Sequence, residues 1–292
     1  MQSVVSCPIC QRLKFIPFQT ISDRQYEVEY VLCTTCGLVL QSPRMDPDEL
    51  EAFYASAYRV HQQETEDPIE KDLHMQEARA ERTLALIEHD LPQVRRHLDI
   101  GSSSGALLRA FQARYQCTGI GIEPGLAYRE HSLDQGNQIY PDREALIEAH
   151  EARFDLISMM HVLEHLPDPI ASLDQLRRDL LTSDGHLLVE VPNLYQHASF
   201  ELAHLFAFSP QSLREVLRRA GYRVRWMRTH GSFRSPILKL YITALATPQN
   251  ESKPPHSFYF PGACGVGIRR KLGTVKRAFF TRYWPDWTWQ SP

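Results

Sequence analysis

The sequence predicts an α/β protein: a mainly parallel sheet covered by helices on both faces, behind a small cysteine-bearing unit. Three observations carry this. From about residue 96 to 191, short apolar runs alternate with longer amphipathic stretches, the pattern of parallel strands joined by helical crossovers. After Gly221 the rhythm breaks, and two strand-like segments follow each other with no helix between them. Such neighbours must pair as a hairpin, because a parallel return needs a longer crossover. Finally, four of the six cysteines fall before residue 44, in two Cys-x-x-Cys pairs.

The elements follow in order. Residues 1–43 read as a separate unit in which Tyr26 to Leu32 alternates as a strand does. Residues 44–92 read as a helical lead-in. Asp46-Pro47 and Asp67-Pro68 each offer an N-cap followed by proline at the first helical position, and Leu73, Ala80, Leu84 and Ile87 give the second helix an apolar face that Leu91-Pro92 ends. The main domain spans 93–247. Its strands are expected at Arg96–Ile100, Cys117–Ile122, around Ile139, at Phe154–Met160 and at His186–Val191. Helices start at Ala106, at Pro124 (stopping near Gly136) and after Asp168. Ser209-Pro210 opens another that Gly221 closes, and the hairpin takes Tyr222–Arg228 and Leu238–Leu245. Residues 248–292 form a basic, aromatic extension.

Composition narrows the function classes. With 43% hydrophobic and 23% charged residues, the 292-residue chain is ordinary globular material. A net charge of -3 gives no whole-protein basic field for nucleic acid. No apolar run reaches the length of a membrane span, and the start shows no basic and apolar signal pattern. The expected compartment is the cytosol, where cysteines serve as metal ligands or free thiols rather than disulfides.

Two motifs carry chemistry. Cys7, Cys10, Cys33 and Cys36 are spaced C-x2-C-x22-C-x2-C. Two close pairs can close a tetrahedral zinc site completely, which makes the metal structural, with no open position for catalysis. The second motif is Leu98-Asp99-Ile100-Gly101-Ser102-Ser103-Ser104-Gly105, a strand running through a glycine turn into a helix N-terminus. Eighteen residues past Gly105, Glu123 ends the next strand, where a carboxylate can accept from both hydroxyls of a ribose. Together they indicate a nucleoside-containing cofactor. Ser103 and Ala106 stand where a dinucleotide fingerprint wants glycine, which weakens a nicotinamide reading.

These residues, with Glu123-Pro124, Phe154-Asp155-Leu156-Ile157, Val162-Leu163-Glu164-His165-Leu166-Pro167-Asp168-Pro169 and Asp184 through Asn193, resemble the class I S-adenosylmethionine-dependent methyltransferases, in particular the small-molecule branch with a Leu-Glu-His signature. The resemblance covers about 80–245. It implies a Rossmann-like seven-stranded sheet with an antiparallel last strand. The four-cysteine unit resembles the zinc module that precedes some sugar C-methyltransferases. Position by position, the resemblance places Asp99, Gly101, Ser103 and Gly105 at the methionine end of S-adenosyl-L-methionine. It puts Glu123 on the ribose, residues near Asp142 at the adenine edge, and Met160 and His161 beside the cofactor. Ser103 replaces the family's usual glycine.

The resemblance also makes His165, oriented by Glu164, the candidate base, with His161 and His204 beside it. A histidine can take a proton from an acceptor hydroxyl; the alternative is a structural histidine that holds the loop. Tyr54 and Tyr58 could close over the cofactor or simply pack a helix. The tail residues Phe258-Tyr259-Phe260 and Tyr283 to Trp289 are expected to pack on their own domain or on a second copy, with RNA, a membrane surface or a partner as alternatives. The expected function is methyl transfer to a small-molecule acceptor such as a nucleotide sugar or a secondary metabolite. The rival readings are an RNA or protein methyltransferase gripping its substrate through the ribbon and tail, a non-catalytic binding module of the same fold, and a dehydrogenase.

Overall fold

The computed structural model describes residues 1–23, 26–56, 64–91, 93–149, 151–198, 200–249 and 262–288. The main sheet contains seven strands. Strands β4 (Arg96–Ile100), β5 (Thr118–Ile122), β6 (Gln138–Tyr140), β7 (Phe154–Met160) and β8 (Leu181–Pro192) are parallel to one another, and β10 (Tyr222–His230) and β11 (Tyr241–Pro248) form the hairpin. The order is β10-β11-β8-β7-β4-β5-β6, with β11 antiparallel to both neighbours. This is the expected seven-stranded architecture. β8 begins five residues before the predicted start at His186, because Leu181 already pairs with Phe154.

Helices α3 (Ala106–Tyr115), α4 (Leu126–Asp134), α5 (Arg143–Glu148), α6 (Pro169–Asp179) and α7 (Pro210–Arg219) connect the strands. Their starts follow the local chemistry. Asp168 accepts from the N–H groups of Ile170 and Ala171 ahead of Pro169, and Ser209 forms a reciprocal capping box with Ser212 ahead of Pro210. In the lead-in, α1 (Pro47–Ser56) is capped by Asp46, which accepts from Glu49 N at 2.9 Å. Asp67 does not cap α2 (Glu70–Ile87): that helix starts two residues later, behind an extended Ile69 with no side-chain cap. α2 packs Ala80, Thr83 and Ile87 inward and crosses α3 on one face of the sheet.

The first residues build a second sheet. Strands β1 (Phe15–Asp23), β2 (Tyr26–Cys33) and β3 (Val39–Gln41) are antiparallel, and the fourth strand, β9 (Phe206–Ala207), comes from the main domain. Val39 pairs with Ala207 and Leu40 with Phe206. One buried apolar cluster runs from Ile9, Leu32 and Leu38 through Phe206 and Phe208 to Val189 and Val191. The N-terminal unit is thus stitched into the main domain by hydrogen bonds and by a shared core.

The extension returns to its own chain. Helix α8 (Gly262–Tyr283) buries Val266 over Gly37, and Arg270 donates to the carbonyls of Leu194 and His197 at 2.7 and 2.6 Å. Ser235 Oγ donates to the Trp287 carbonyl in the short α9 (Pro285–Thr288). Pro92, Tyr58, the side chain of Tyr54, Phe258-Tyr259-Phe260 and Trp289 lie outside the described residues. Among the described residues no helix is long and apolar enough to cross a membrane.

Candidate active site

A cavity of about 1210 Å³ opens at the carboxyl ends of β4, β5 and β7, where open α/β sheets bind ligands. One end is the glycine loop. Gly101 and Gly105 both hold φ of +73°, and a Cβ on Gly101 would come 2.5 Å from Val162 Cγ2. Only glycine meets both demands cheaply. Ser103 adopts φ of +49° without being glycine, and its N–H donates to Glu123 Oε2 at 2.9 Å. Gly125 N–H donates to Glu123 Oε1 at 2.9 Å. Glu123 is buried at the cavity wall, and these two backbone donors fix its carboxylate there.

Asp99 is buried beneath the same loop. Burial pushes its carboxyl up to about 7, against the opposing hydrogen bond from Ser158 Oγ at 2.6 Å. His97 Nε2 lies 2.7 Å from the same hydroxyl, so a chain His97–Ser158–Asp99 runs under the glycine loop. Ser102 Oγ is buried against Gly121 of β5 and has no hydrogen-bond partner among the described residues. A cradle held open by glycine and a carboxylate fixed at the cavity wall fit the methionine and ribose parts of a nucleoside cofactor. Asp142 lines the cavity but spends one oxygen capping α5, accepting from Ala145 N at 2.8 Å.

The other end is rich in histidine. β7 delivers Met160 and then His161, which takes a left-handed φ of +58°. A single 3-10 turn, Leu163–His165, carries Glu164 and His165, and the connection before β9 brings His204 across from above. The rings of His165 and His204 meet edge to face at 4.7 Å. His165 Nδ1 lies 2.9 Å from the Ala203 carbonyl and donates to it, which leaves Nε2 as the basic nitrogen. Burial first, then the neighbouring His204, pull His165 down to about 4. Glu164 does not orient His165 through a hydrogen bond, contrary to the sequence expectation. Among the described residues neither of its oxygens has a hydrogen-bond partner, and His161 Nδ1 stands at 3.5 Å. Burial alone would raise the Glu164 pKa, but the imidazoles of His161, His165 and His204 hold it below its usual value. One ligand atom each from Glu164, His165 and His204 falls within 4.8 Å of the others, so the trio could also hold a metal ion. His204 Nε2 is paired with Glu201 at 2.6 Å.

Several residues of this site were not anticipated. Glu190, near the carboxyl end of β8, accepts from His161 Nε2 at 3.2 Å and from Thr243 Oγ1 at 2.7 Å, and although burial opposes it, His161 and His230 hold its pKa well below the usual range. A lone charge inside Leu187-Leu188-Val189-Glu190-Val191 was the available signal. From α2, Gln76 accepts from Ser104 N and Oγ, and Arg79 faces the cavity. Arg79 and Arg234 both lie over the Phe233 ring, at 5.7 and 4.9 Å, next to Tyr241. An amphipathic helix and an irregular loop give no sequence sign that these cations converge.

Away from the cavity, the four cysteines meet as expected. Cys7 and Cys36 sulfurs lie 3.4 Å apart, Cys10 and Cys33 sulfurs 3.5 Å, and all four within 4.8 Å. Bonds of about 2.3 Å from zinc to sulfur give tetrahedral edges near ~3.8 Å, so the set fits one zinc ion. Four sulfurs this close cannot all ionise without a cation between them. Cys117 and Cys264 lie outside the set.

Comparison with known proteins agrees with this geometry. Residues 72–225, just over half of the chain, match the model of a family described as a methyltransferase domain. A ubiquinone biosynthesis O-methyltransferase of Pectobacterium carotovorum is 32% identical over 102 residues, 33% of this chain and 42% of that one. Its counterpart in Pectobacterium atrosepticum is 26% identical over 160 residues, 51% of this chain and 64% of the relative. The chain therefore spans less than two thirds of these curated relatives. A solved structure of Burkholderia thailandensis 1,6-didemethyltoxoflavin-N1-methyltransferase, with S-adenosylhomocysteine bound, shares the fold. Its TM-score is 0.55 at 18% identity, covering 80% of this chain and 99% of that one.

Proposed function

The chain belongs to the methyltransferase domain family, and from that premise we propose that it transfers the methyl group of S-adenosylmethionine to a small-molecule acceptor. The observation that carries the reading is that one cavity joins two ends. The Gly101–Gly105 loop with Glu123 forms one, and the group His161, His165 and His204 forms the other. S-adenosylmethionine, when bound, supplies a sulfonium methyl. The chain's own residues do the rest. Gly101, Gly105 and Asp99 would shape the methionine end, Glu123 would hold the ribose hydroxyls, and Met160 with His161 would flank the reacting centre. Holding the acceptor in line for displacement is the main contribution.

The proposed base is His165 Nε2. It takes the acceptor's proton as the oxygen–methyl bond forms, and the buried Glu164 carboxylate stabilises the imidazolium. A base pulled down to about 4 suits an acidic hydroxyl, and Arg79 and Arg234 offer positive charge to the oxyanion. The names of the curated relatives also favour an oxygen acceptor. A nucleotide sugar or a secondary metabolite fits this description. Glu164, His165 and His204 are almost fully buried, which supports a small acceptor over RNA or a protein. We further propose a structural zinc on Cys7, Cys10, Cys33 and Cys36, and a cytosolic setting.

The test has two stages. Calorimetry with S-adenosylhomocysteine and with NADH comes first: micromolar binding of the former alone is expected, and the reverse preference would assign a dehydrogenase. Transfer of labelled methyl to a panel of phenols and nucleotide sugars follows. Cofactor binding with transfer only to RNA or protein would overturn the acceptor class.

A further inference from the structure

Helix α8 leaves one face uncovered. Ile268, Leu272, Val275, Phe279 and Tyr283 are each about half exposed or more, and they recur every three or four residues. That spacing lines them in one stripe along the helix. Trp284 and Trp287, also exposed, continue the stripe past its end. The opposite face is taken. Val266 is buried, a Cβ on Gly273 would collide with the Tyr195 carbonyl, Arg270 holds two carbonyls, and Lys276 donates to the Ile237 carbonyl at 3.1 Å. The stripe thus belongs to a helix fixed on the domain.

We propose that this face of α8 docks on an anionic lipid surface. Charge selects the occupant. Residues 262–283 contain six Lys/Arg and no acidic residue, and exposed Arg269, Lys271 and Arg282 flank the stripe. A second copy seated on the stripe would set these cations against their own equivalents, which opposes self-association. An anionic membrane offers apolar depth for the stripe and negative charge for its flanks. Tyr283, Trp284 and Trp287 are the ring types that collect at the membrane–water boundary. The helix is too polar to span, so it lies in the surface plane. Arg277 on its inner side lines the catalytic cavity, so docking sets the site beside the lipid.

The full chain is floated with vesicles of phosphatidylcholine alone and of phosphatidylcholine with phosphatidylglycerol at roughly 2:1. Binding to the mixed vesicles is expected, weakening by about tenfold or more without the anionic lipid and again in high salt. The double variant Leu272→Glu, Val275→Glu should lose binding by about tenfold or more. Both side chains are about two-thirds exposed, so circular dichroism and melting temperature should match wild type. No wild-type binding, or equal binding by the folded variant, overturns the proposal. So does a wild-type dimer that the variant dissociates, which would make the stripe a self-association seam. Calorimetry with S-adenosylhomocysteine is unaffected by any of these outcomes and tests the methyltransferase reading separately.

Discussion

Replacing Glu123 separates the cofactor assignment from everything else in the site. Its carboxylate accepts from Ser103 N and Gly125 N, both at 2.9 Å, and in the proposed site it also holds the ribose hydroxyls. Glu123→Ala removes the acceptors for both backbone N–H groups and for the ribose. Each hydrogen bond to a charged partner contributes about 1.5–3 kcal/mol. Loss of the equivalent of one full bond, after water partly compensates, lowers affinity for S-adenosylhomocysteine roughly tenfold to a hundredfold or somewhat more. Glu123→Gln should not rescue it. An amide presents one oxygen and one NH2, so one of the two backbone N–H groups would face a donor. Calorimetric titration needs no knowledge of the acceptor. Both variants should also melt lower, because buried N–H groups lose partners. A Glu123→Ala protein that melts lower but binds the ligand like wild type would refute the placement of the ribose.

The other expectations follow from the same site and its surroundings. His165→Gln should leave S-adenosylhomocysteine affinity unchanged and lower turnover by roughly a hundredfold to ten-thousandfold; loss of cofactor binding in a folded variant would move His165 into the cofactor site. Metal analysis should find one zinc per chain in wild type and none after Cys33→Ser, and a metal-free, fully folded N-terminal unit would refute the site. Stability should fall as pH drops from about 6.5 toward 4. His97 and His197 are held at about 3 and His165 at about 4, so the unfolded chain takes up three protons there that the native one refuses. Asp99, raised to about 7, works in the opposite direction by one proton. The net of about two protons favours unfolding on acidification, and urea titrations that show no pH dependence across this window would contradict it.

Much of the architecture was legible because local chemistry and global fold agree. Arg96–Ile100 and Phe154–Met160 fall where apolar runs predicted them, and Asp168-Pro169 and Ser209-Pro210 start helices as caps with proline should. The glycine turn and the cysteine pairs were legible because their spacing is itself the constraint. Long-range placement was not. Glu190 reads as a charge in a strand until Thr243 and His161 close around it, and Arg79 joins Arg234 only through the packing of α2 against a distant loop. The orientation of His165 was misread for the same reason: its partner, the Ala203 carbonyl, is a backbone group 38 residues away, with no side-chain signature.

The strand borrowed by the N-terminal sheet has a consequence for how the chain folds. β3 finds its neighbour at Phe206–Ala207, and the Tyr30 hydroxyl donates to the carbonyls of Glu201 and His204, 171 and 174 residues away. During synthesis the first residues emerge long before that strand exists. Until then the Val39–Gln41 edge stays open, a template for pairing with other chains, and closing so distant a contact is slow. The first 43 residues are thus an early piece that waits for a late one. Cutting the chain before residue 206 should leave a sticky fragment rather than a self-sufficient module. In the complete chain, the backbone that carries His204 over the cavity is fastened by residues from the other end of the sequence.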